Sequence, residues 1–385
     1  MTDWIAKKLS RITSSVEYIP EIDGLRFLAI IPVLALHATY YMLYHRGVAL
    51  EGWERHNGLI VQVISTGAIG VQMFFVLSGF IVSLPFARHS LREVPAPKLG
   101  RYYLRRLTRI EPPYILALTA MFLLAGYHRH LLPDYLAGLF YLHQIVFGTF
   151  NPINIPNWSL EVEVCFYLVA PLLVWVYRIR KISLERRLFQ LALMLLSSYF
   201  VYELLIPMGP PRLNYTLVTE LPFFLAGILL ADLYATGRLR RASLFFWDVA
   251  AVVCLSGLVY AEGWEWRLQW LKPLMIMVIV VAAFCGRVAN WFFRQRLVTI
   301  VGGMCYTLYL WHMVLIMSTS KHLVPLIPAS WSQATASLLF CFLMIPALIA
   351  MSAPLYYFLE KPFMSRFRET AAALQPDMMR RAGGG

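Results

Sequence analysis

Charge is scarce in this sequence. Asp, Glu, Lys and Arg make up 14% of its 385 residues, too few to cover the surface of a water-soluble domain of this size. Cysteine is scarce as well: the five residues, at 165, 254, 285, 305 and 341, each lie in or beside an apolar run. None forms a CxxC pair or a Cys/His spacing suited to zinc, so no metal is expected. A P-loop, a GxGxxG fingerprint, a GxSxG elbow and an HExxH helix are all missing, which disfavours nucleotide hydrolysis. The net charge of +13 comes without zinc-finger spacing, an RNA-binding aromatic signature or a long basic tail, so no nucleic acid partner is expected. No small-residue cleavage site follows a short apolar core before the first span, and a cleaved leader is therefore not expected.

Hydrocarbon is what the chain has in abundance. Hydrophobic residues make up 59% of it, its mean hydropathy is +0.62, and several runs reach the roughly 20 residues that cross a bilayer. The expected fold class is all-α, a polytopic membrane protein with lipid as its solvent. Candidate spans fall at about 24–44, 61–86, 112–127, 159–179, 188–207, 217–235, 244–261, 271–286, 298–318 and 333–358. A further run, 133–149, is short and holds Asp134 and His143, and the distribution of positive charge decides its treatment. With 133–149 kept outside, 26 of the 34 Lys and Arg fall on the inner side and 7 outside, with Arg26 at the membrane edge. If 133–149 crossed, "RIRKISLERR" at 178–187 would face out, against the positive-inside bias. About ten transmembrane helices with both termini cytoplasmic is the expected topology.

Around this domain, 18–363, the ends read differently. Residues 1–17 place Ile5, Leu9, Ile12 and Val16 at helical spacing beside Trp4, Lys7, Lys8 and Arg11, which predicts a helix lying on the inner membrane face. Residues 364–385 read as a disordered cytoplasmic tail. The outer segment 128–158, rich in Pro, Asn, Tyr and His, is expected to fold back at the outer edge with protein or water around it. "VGGM" at 301–304 and "ATGRL" at 235–239 are too degenerate to interpret.

Ionisable groups inside the spans are the informative ones, since a charge at mid-membrane costs at least roughly 2.5–3.5 kcal/mol. Three stand out: His37, Glu163 and His312. From the approximate span boundaries they lie about 20, 24 and 21 Å from the inner face, one layer in the outer half. Each has a plainer reading: a histidine bonded to a neighbouring helix, or a glutamate capping the start of "WSLEVEVCFYL", where Glu161 also reads as a cap or a solvated group. Arg26 lies eleven residues before His37, within about 20° of the same helical face and about 16.5 Å along the axis, though Asp23 is placed to pair with it. Nearby, "RYYLRRLTRIEPP" carries Arg101, Arg105, Arg106 and Arg109, with Pro112 and Pro113 taken to mark the start of the third span. Part of that run is a topology signal; its arginines and tyrosines also suit a ligand bearing phosphates and rings.

Together these segments resemble the acyltransferase-3 family of integral membrane acyltransferases, over about residues 18 to 363. "GLRFLAIIPVLALH" is similar to the family's Arg-x10-His motif, with Arg26 and His37 in register. "GVQMFFVLSGFIVS" (70–83) resembles its second helix, and Arg106-Leu-Thr-Arg109 its Arg-x-x-Arg motif. "NWSLEVEVCFYLVAP" resembles its Trp-Ser-Leu-x-x-Glu-x-x-Phe-Tyr block, aligning Glu163 with the family glutamate. "YTLYLWH" (306–312) and "EKPF" (360–363) resemble its late helix and terminal Glu-x-Pro. Single motifs of this kind are weak; six in order are strong. One subgroup appends an extracytoplasmic SGNH hydrolase-like domain, which this sequence does not show.

The resemblance implies transfer of an acyl group, usually acetyl, from acetyl-CoA to a hydroxyl. The implied acceptor is a carbohydrate of the bacterial envelope, lipopolysaccharide included; macrolides and small lipid-linked molecules are the other classes. Acyl-CoA, the only co-substrate expected, would put its phosphates on Arg106, Arg109 and Arg26 at the cytoplasmic mouth. His37 would act as general base or as nucleophile, Glu163 would orient the imidazole or the hydroxyl, and His312, Tyr309 and Trp158 would hold the acceptor. A proton-coupled transporter built on the His37–Glu163–His312 layer is the alternative, but no inverted pair of broken helices surrounds that layer in the sequence. The expected location is the bacterial cytoplasmic membrane.

Overall fold

The computed structural model describes residues 8–9, 18–49, 58–91, 95–126, 128–179, 181–210, 213–240, 244–263 and 266–364. Among these there are helices and turns and no strand, as a chain that must bond its own backbone inside lipid requires. The long elements are α1 (Pro20–His45), α2 (Leu59–Ser90), α3 (Leu99–Leu124) and, after the short α4 (Leu132–Leu139) and α5 (His143–Phe147), α6 (Asn157–Ile179). Then come α7 (Leu184–Met208), α8 (Leu217–Ala235), α9 (Phe245–Gly263), α10 (Arg267–Cys285), the short α11 (Val288–Phe293), α12 (Arg296–Gly303), α13 (Cys305–Leu326) and α14 (Gln333–Met364). Eight of these are long and apolar enough to cross a membrane, and α12 with α13 makes a ninth, bent by 68°. Helix α6 has 23 residues, about 34 Å. From Val162 onward Glu163 and Arg178 are its charged residues, so α6 brings the candidate spans to ten. The protein is an all-α polytopic membrane protein.

Helix α1 is the hub, packed against α2, α12, α13 and α14. Lipid offers no hydrophobic drive between helices, so close backbone approach has to supply the contact energy. Glycine provides it. A Cβ on Gly227 of α8 would lie 2.1 Å from the Val76 carbonyl oxygen of α2, and one on Gly79 of α2 would lie 2.4 Å from that of Phe224. The α1–α12 contact is closer still: a Cβ on Gly302 would come within 1.7 Å of the Asp23 carbonyl oxygen. "VGGM", uninterpretable as sequence, is thus both a helix contact and the break between α12 and α13. In "ATGRL", Gly237 ends α8 with φ +68°, a left-handed conformation open to glycine.

Polar residues tie the bundle elsewhere. Arg186 of α7 and Asp232 of α8, both buried, pair at 3.0 Å. Asp248 of α9 accepts the backbone N–H groups of Arg287, Val288 and Ala289 and so caps α11. The buried Lys272 bonds Glu262 and lies 5.4 Å over the Tyr202 ring, which joins the ends of α10, α9 and α7.

Three expectations change. The third span begins at Leu99, not near 112, so the arginine run is helical and Pro112 and Pro113 lie inside α3. Those prolines lack the N–H groups that would reach the carbonyls of Thr108 and Arg109. The ninth span, expected as one helix over 298–318, is the bent α12–α13 pair. Glu161 is not solvated: it is 4% exposed and accepts the Gln144 N–H at the start of α5. The ambiguous run 133–149 consists of α4 and α5, too short to span, separated by a turn where Tyr141 has φ +57°. His143 holds this turn from both ring nitrogens, to Asp134 at 2.8 Å and to the Thr149 carbonyl at 3.1 Å. The expected interfacial helix lies outside the described residues apart from Lys8 and Leu9, as do 365–385. Lys8 bonds the Tyr357 hydroxyl at 2.8 Å, and Leu9 packs against the cluster of Met304, Tyr356 and Met364 at the C-terminal end of α14.

Gly227→Val is expected to lower stability by about 1–3 kcal/mol or more, since two backbones would have to part. Gly100→Val, where a Cβ meets nothing within 4 Å, serves as the control. Thermal unfolding of the two variants in detergent checks this.

Candidate functional site

One pocket joins the motifs of four helices and more. It occupies about 830 Å³, counted to its open mouth, between α1, α2, α3, α6 and α13. Arg26 of α1 lines it together with Arg106 and Arg109 of α3, whose three-residue spacing sets both guanidinium stems on one side of that helix. Arg26 also pairs with the buried Asp23 at 2.5 Å. Arg106 is packed between aromatic faces, 5.0 Å from the Tyr167 ring and 5.7 Å from that of Tyr102. A guanidinium held flat in this way keeps its N–H edges for a ligand.

Deeper in the wall sits Glu163. It accepts hydrogen bonds from the hydroxyls of Ser78 and Tyr167. The sequence by itself assigns neither partner a role, although Tyr167 closes the Trp-Ser-Leu-x-x-Glu-x-x-Phe-Tyr block one helical turn after Glu163 and Ser78 lies in the 70–83 run. At the far end the lining residues are Ser159 and Tyr309, whose oxygens are 3.0 Å apart; the Tyr309 hydroxyl also donates to the Pro156 carbonyl.

One turn further along α13 is the histidine pair. His312 Nε2 lies 3.2 Å from His37 Nδ1. His312 Nδ1 faces two backbone carbonyls, Tyr309 at 2.7 Å and Leu308 at 3.2 Å. Carbonyl oxygens only accept, so Nδ1 of His312 carries the proton and Nε2 holds the lone pair. With both rings neutral, His37 must donate from Nδ1, which leaves the lone pair of His37 on Nε2. His312 is fully buried and has both nitrogens engaged, whereas His37 is half-buried.

Arg26, Arg106, Arg109, Glu163 and Tyr309 therefore share the pocket, and His37 and His312 meet beside its Tyr309 end. His37 contacts His312, while Glu163 is held by the two hydroxyls. Trp158 does not line the pocket; its ring packs on Phe75 at 6.2 Å and Tyr215 at 4.8 Å.

Comparison with known proteins identifies the family. An acyltransferase domain profile matches residues 19–354. The peptidoglycan O-acetyltransferase OatA of Listeria monocytogenes is 25% identical over 348 residues, 82% of this chain and 52% of that protein. The O-acetyltransferase OatA of Staphylococcus aureus is 25% identical over 350 residues, 83% of this chain and 54% of that protein. The chain thus spans about half the length of these curated relatives. No solved structure matches it. With nearly all of its helical domain covered by the family profile, the chain belongs to the acyltransferase-3 family of integral membrane acyltransferases.

Proposed function

We propose that this chain is a membrane-embedded O-acyltransferase of the bacterial cytoplasmic membrane. It moves an acetyl group from acetyl-CoA, bound on the cytoplasmic side, to a hydroxyl of an envelope carbohydrate. The observation that carries this reading is a single pocket with three arginines at one end and a histidine pair beside the other. The names of both relatives support acetyl as the group, and that of the Listeria monocytogenes protein supports a carbohydrate acceptor and favours peptidoglycan over lipopolysaccharide.

The residues suit an elongated, multiply anionic donor. Arg106 and Arg109, with Arg26 beside them, take its phosphates at the pocket wall. The thioester end then reaches toward Tyr309 and the histidines. There the lone pair on His37 Nε2 takes the proton of the acceptor hydroxyl as its oxygen attacks the thioester carbonyl carbon. The C–S bond breaks, and the proton passes from His37 to the leaving sulfur, giving the acetyl ester and free CoA. His37 stays oriented throughout because its Nδ1–H remains donated to His312. In this reading His312 orients His37 rather than holding the acceptor, since both its nitrogens are taken. Glu163, held by Ser78 and Tyr167, provides a fixed charge in the pocket wall, and Tyr309 and Trp158 bound the acceptor side.

His37→Ala should lower acetyl transfer from labelled acetyl-CoA by about 10²–10⁴-fold in purified protein while leaving donor affinity in place. A folded variant working at the wild-type rate would remove the base. Label that stays on denatured wild-type protein and disappears in the variant would assign His37 the nucleophile's role instead. Arg106→Ala should raise KM for acetyl-CoA about tenfold with little change in kcat, consistent with one lost charge-assisted contact. An unchanged KM would take the donor away from that end of the pocket.

A further inference from the structure

The segment "NPINIPNWS" brings three asparagines into the protein interior: Asn151, Asn154 and Asn157 are 2%, 3% and 0% exposed. Their amides are not equally occupied. Asn151 donates to the Asp134 carbonyl and accepts the Ile153 N–H, a closed local turn. Asn154 points its Nδ2 at the Leu310 carbonyl of α13, 3.5 Å away, and its Oδ1 is buried with no partner. Asn157 has no partner on either Oδ1 or Nδ2. A buried amide without partners costs roughly 1–3 kcal/mol per group, so a site that keeps such groups calls for an occupant.

Position narrows what the occupant is. Asn154 touches α13 at Leu310, between Tyr309 and His312. Asn157 adjoins Pro156, whose carbonyl holds the Tyr309 hydroxyl, and lies two residues before Ser159 in the pocket wall. On the other side of Asn157 stands Trp158, clustered with Tyr215 and Phe150, which are 43% and 40% exposed. The segment that carries these amides therefore connects the aromatic cluster to the Tyr309 end of the pocket.

Hydrogen-bond inventory narrows it further. The unpartnered atoms are two acceptors, Oδ1 of Asn154 and Oδ1 of Asn157, and one donor, Nδ2 of Asn157. An oxyanion needs donors and would face two acceptor oxygens. An alkyl chain would satisfy none of the three. A hydroxylated ligand satisfies all of them, because each hydroxyl both donates and accepts. A sugar ring adds apolar C–H faces that suit the aromatic cluster.

We infer that Asn157, with Asn154, forms the acceptor subsite and binds neighbouring hydroxyls of a carbohydrate entering past Trp158 and Tyr215. This rests on the acyltransferase reading above and adds the residues that select its acceptor.

The test replaces Asn157 by Leu, of similar volume, and by Ala, which is smaller and lacks the amide. Each full-length variant is expressed in cells lacking the wild-type copy. Three quantities are read: base-labile acetate on the cell-envelope glycan, acetyl-CoA affinity of the purified protein, and its unfolding midpoint. The expected result is envelope acetate lowered about tenfold or more, acetyl-CoA affinity within about twofold of wild type, and a midpoint unchanged or raised, because an unpartnered amide has been removed. Acetate at the wild-type level in both variants overturns the subsite and leaves the acyltransferase reading standing. A lowered midpoint or lost acetyl-CoA affinity in both shows a structural amide and also overturns it. Wild-type protein that neither binds acetyl-CoA nor yields envelope acetate overturns the acyltransferase reading itself, and the subsite with it.

Discussion

Two backbone carbonyls, of Leu308 and Tyr309, set the chemistry at the centre of this bundle. Because they can only accept, they dictate where His312 carries its proton; His312 in turn dictates the tautomer of His37. A histidine in a membrane helix has to place its N–H somewhere, and here each placement constrains the next. The result is a lone pair on Nε2 of the half-buried ring, backed by a fully buried one. Everything else in the site is arranged around that pair, with the arginine mouth on one side and the asparagine segment on the other.

Holding such a line of hydrogen bonds requires α1 and α13 to keep a fixed separation. The glycine contacts do this. At Gly302 the start of α1 meets α12 backbone to backbone, and the break that follows lets α13 turn by 68° so that His312 faces His37. The pairing of α2 with α8 through Gly79 and Gly227 braces the opposite wall, from which Ser78 reaches Glu163. Packing of backbone against backbone is rigid because no side-chain rotamer can absorb a shift. The catalytic geometry of the proposed reaction thus rests on contacts that contain no reactive group.

Polar groups follow a division of labour. Arg186–Asp232, Lys272–Glu262 and the Asp248 cap join neighbouring helices and serve the bundle. Arg106 and Arg109 line a pocket open to a ligand, and the amides of Asn154 and Asn157 are buried but incompletely satisfied. A buried group with unused hydrogen-bonding capacity calls for a physical explanation, and beside the pocket the proposed acceptor supplies one.

Apolar length marked most of the spans and set the run 133–149 apart as too short to be one, because lipid thickness acts on local composition. The same holds for Arg26, His37, Arg106, Arg109 and Glu163, whose spacing along single helices makes them visible as motifs. Tertiary structure alone decided which of the polar groups in one layer meet. Depth along a helix is a local quantity, but the rotation and bend that bring His37 to His312, and Glu163 to Ser78 and Tyr167, depend on how several helices pack. The start of α3 at Leu99 and the break at Gly303 were hidden for a related reason: prolines inside one helix and glycines inside another are read as boundaries until the neighbouring backbone that accommodates them is in place. Asn157 carries no separate signal in the sequence. Only its complete burial, with no partner for its amide, distinguishes it, and burial belongs to the fold rather than to the residue.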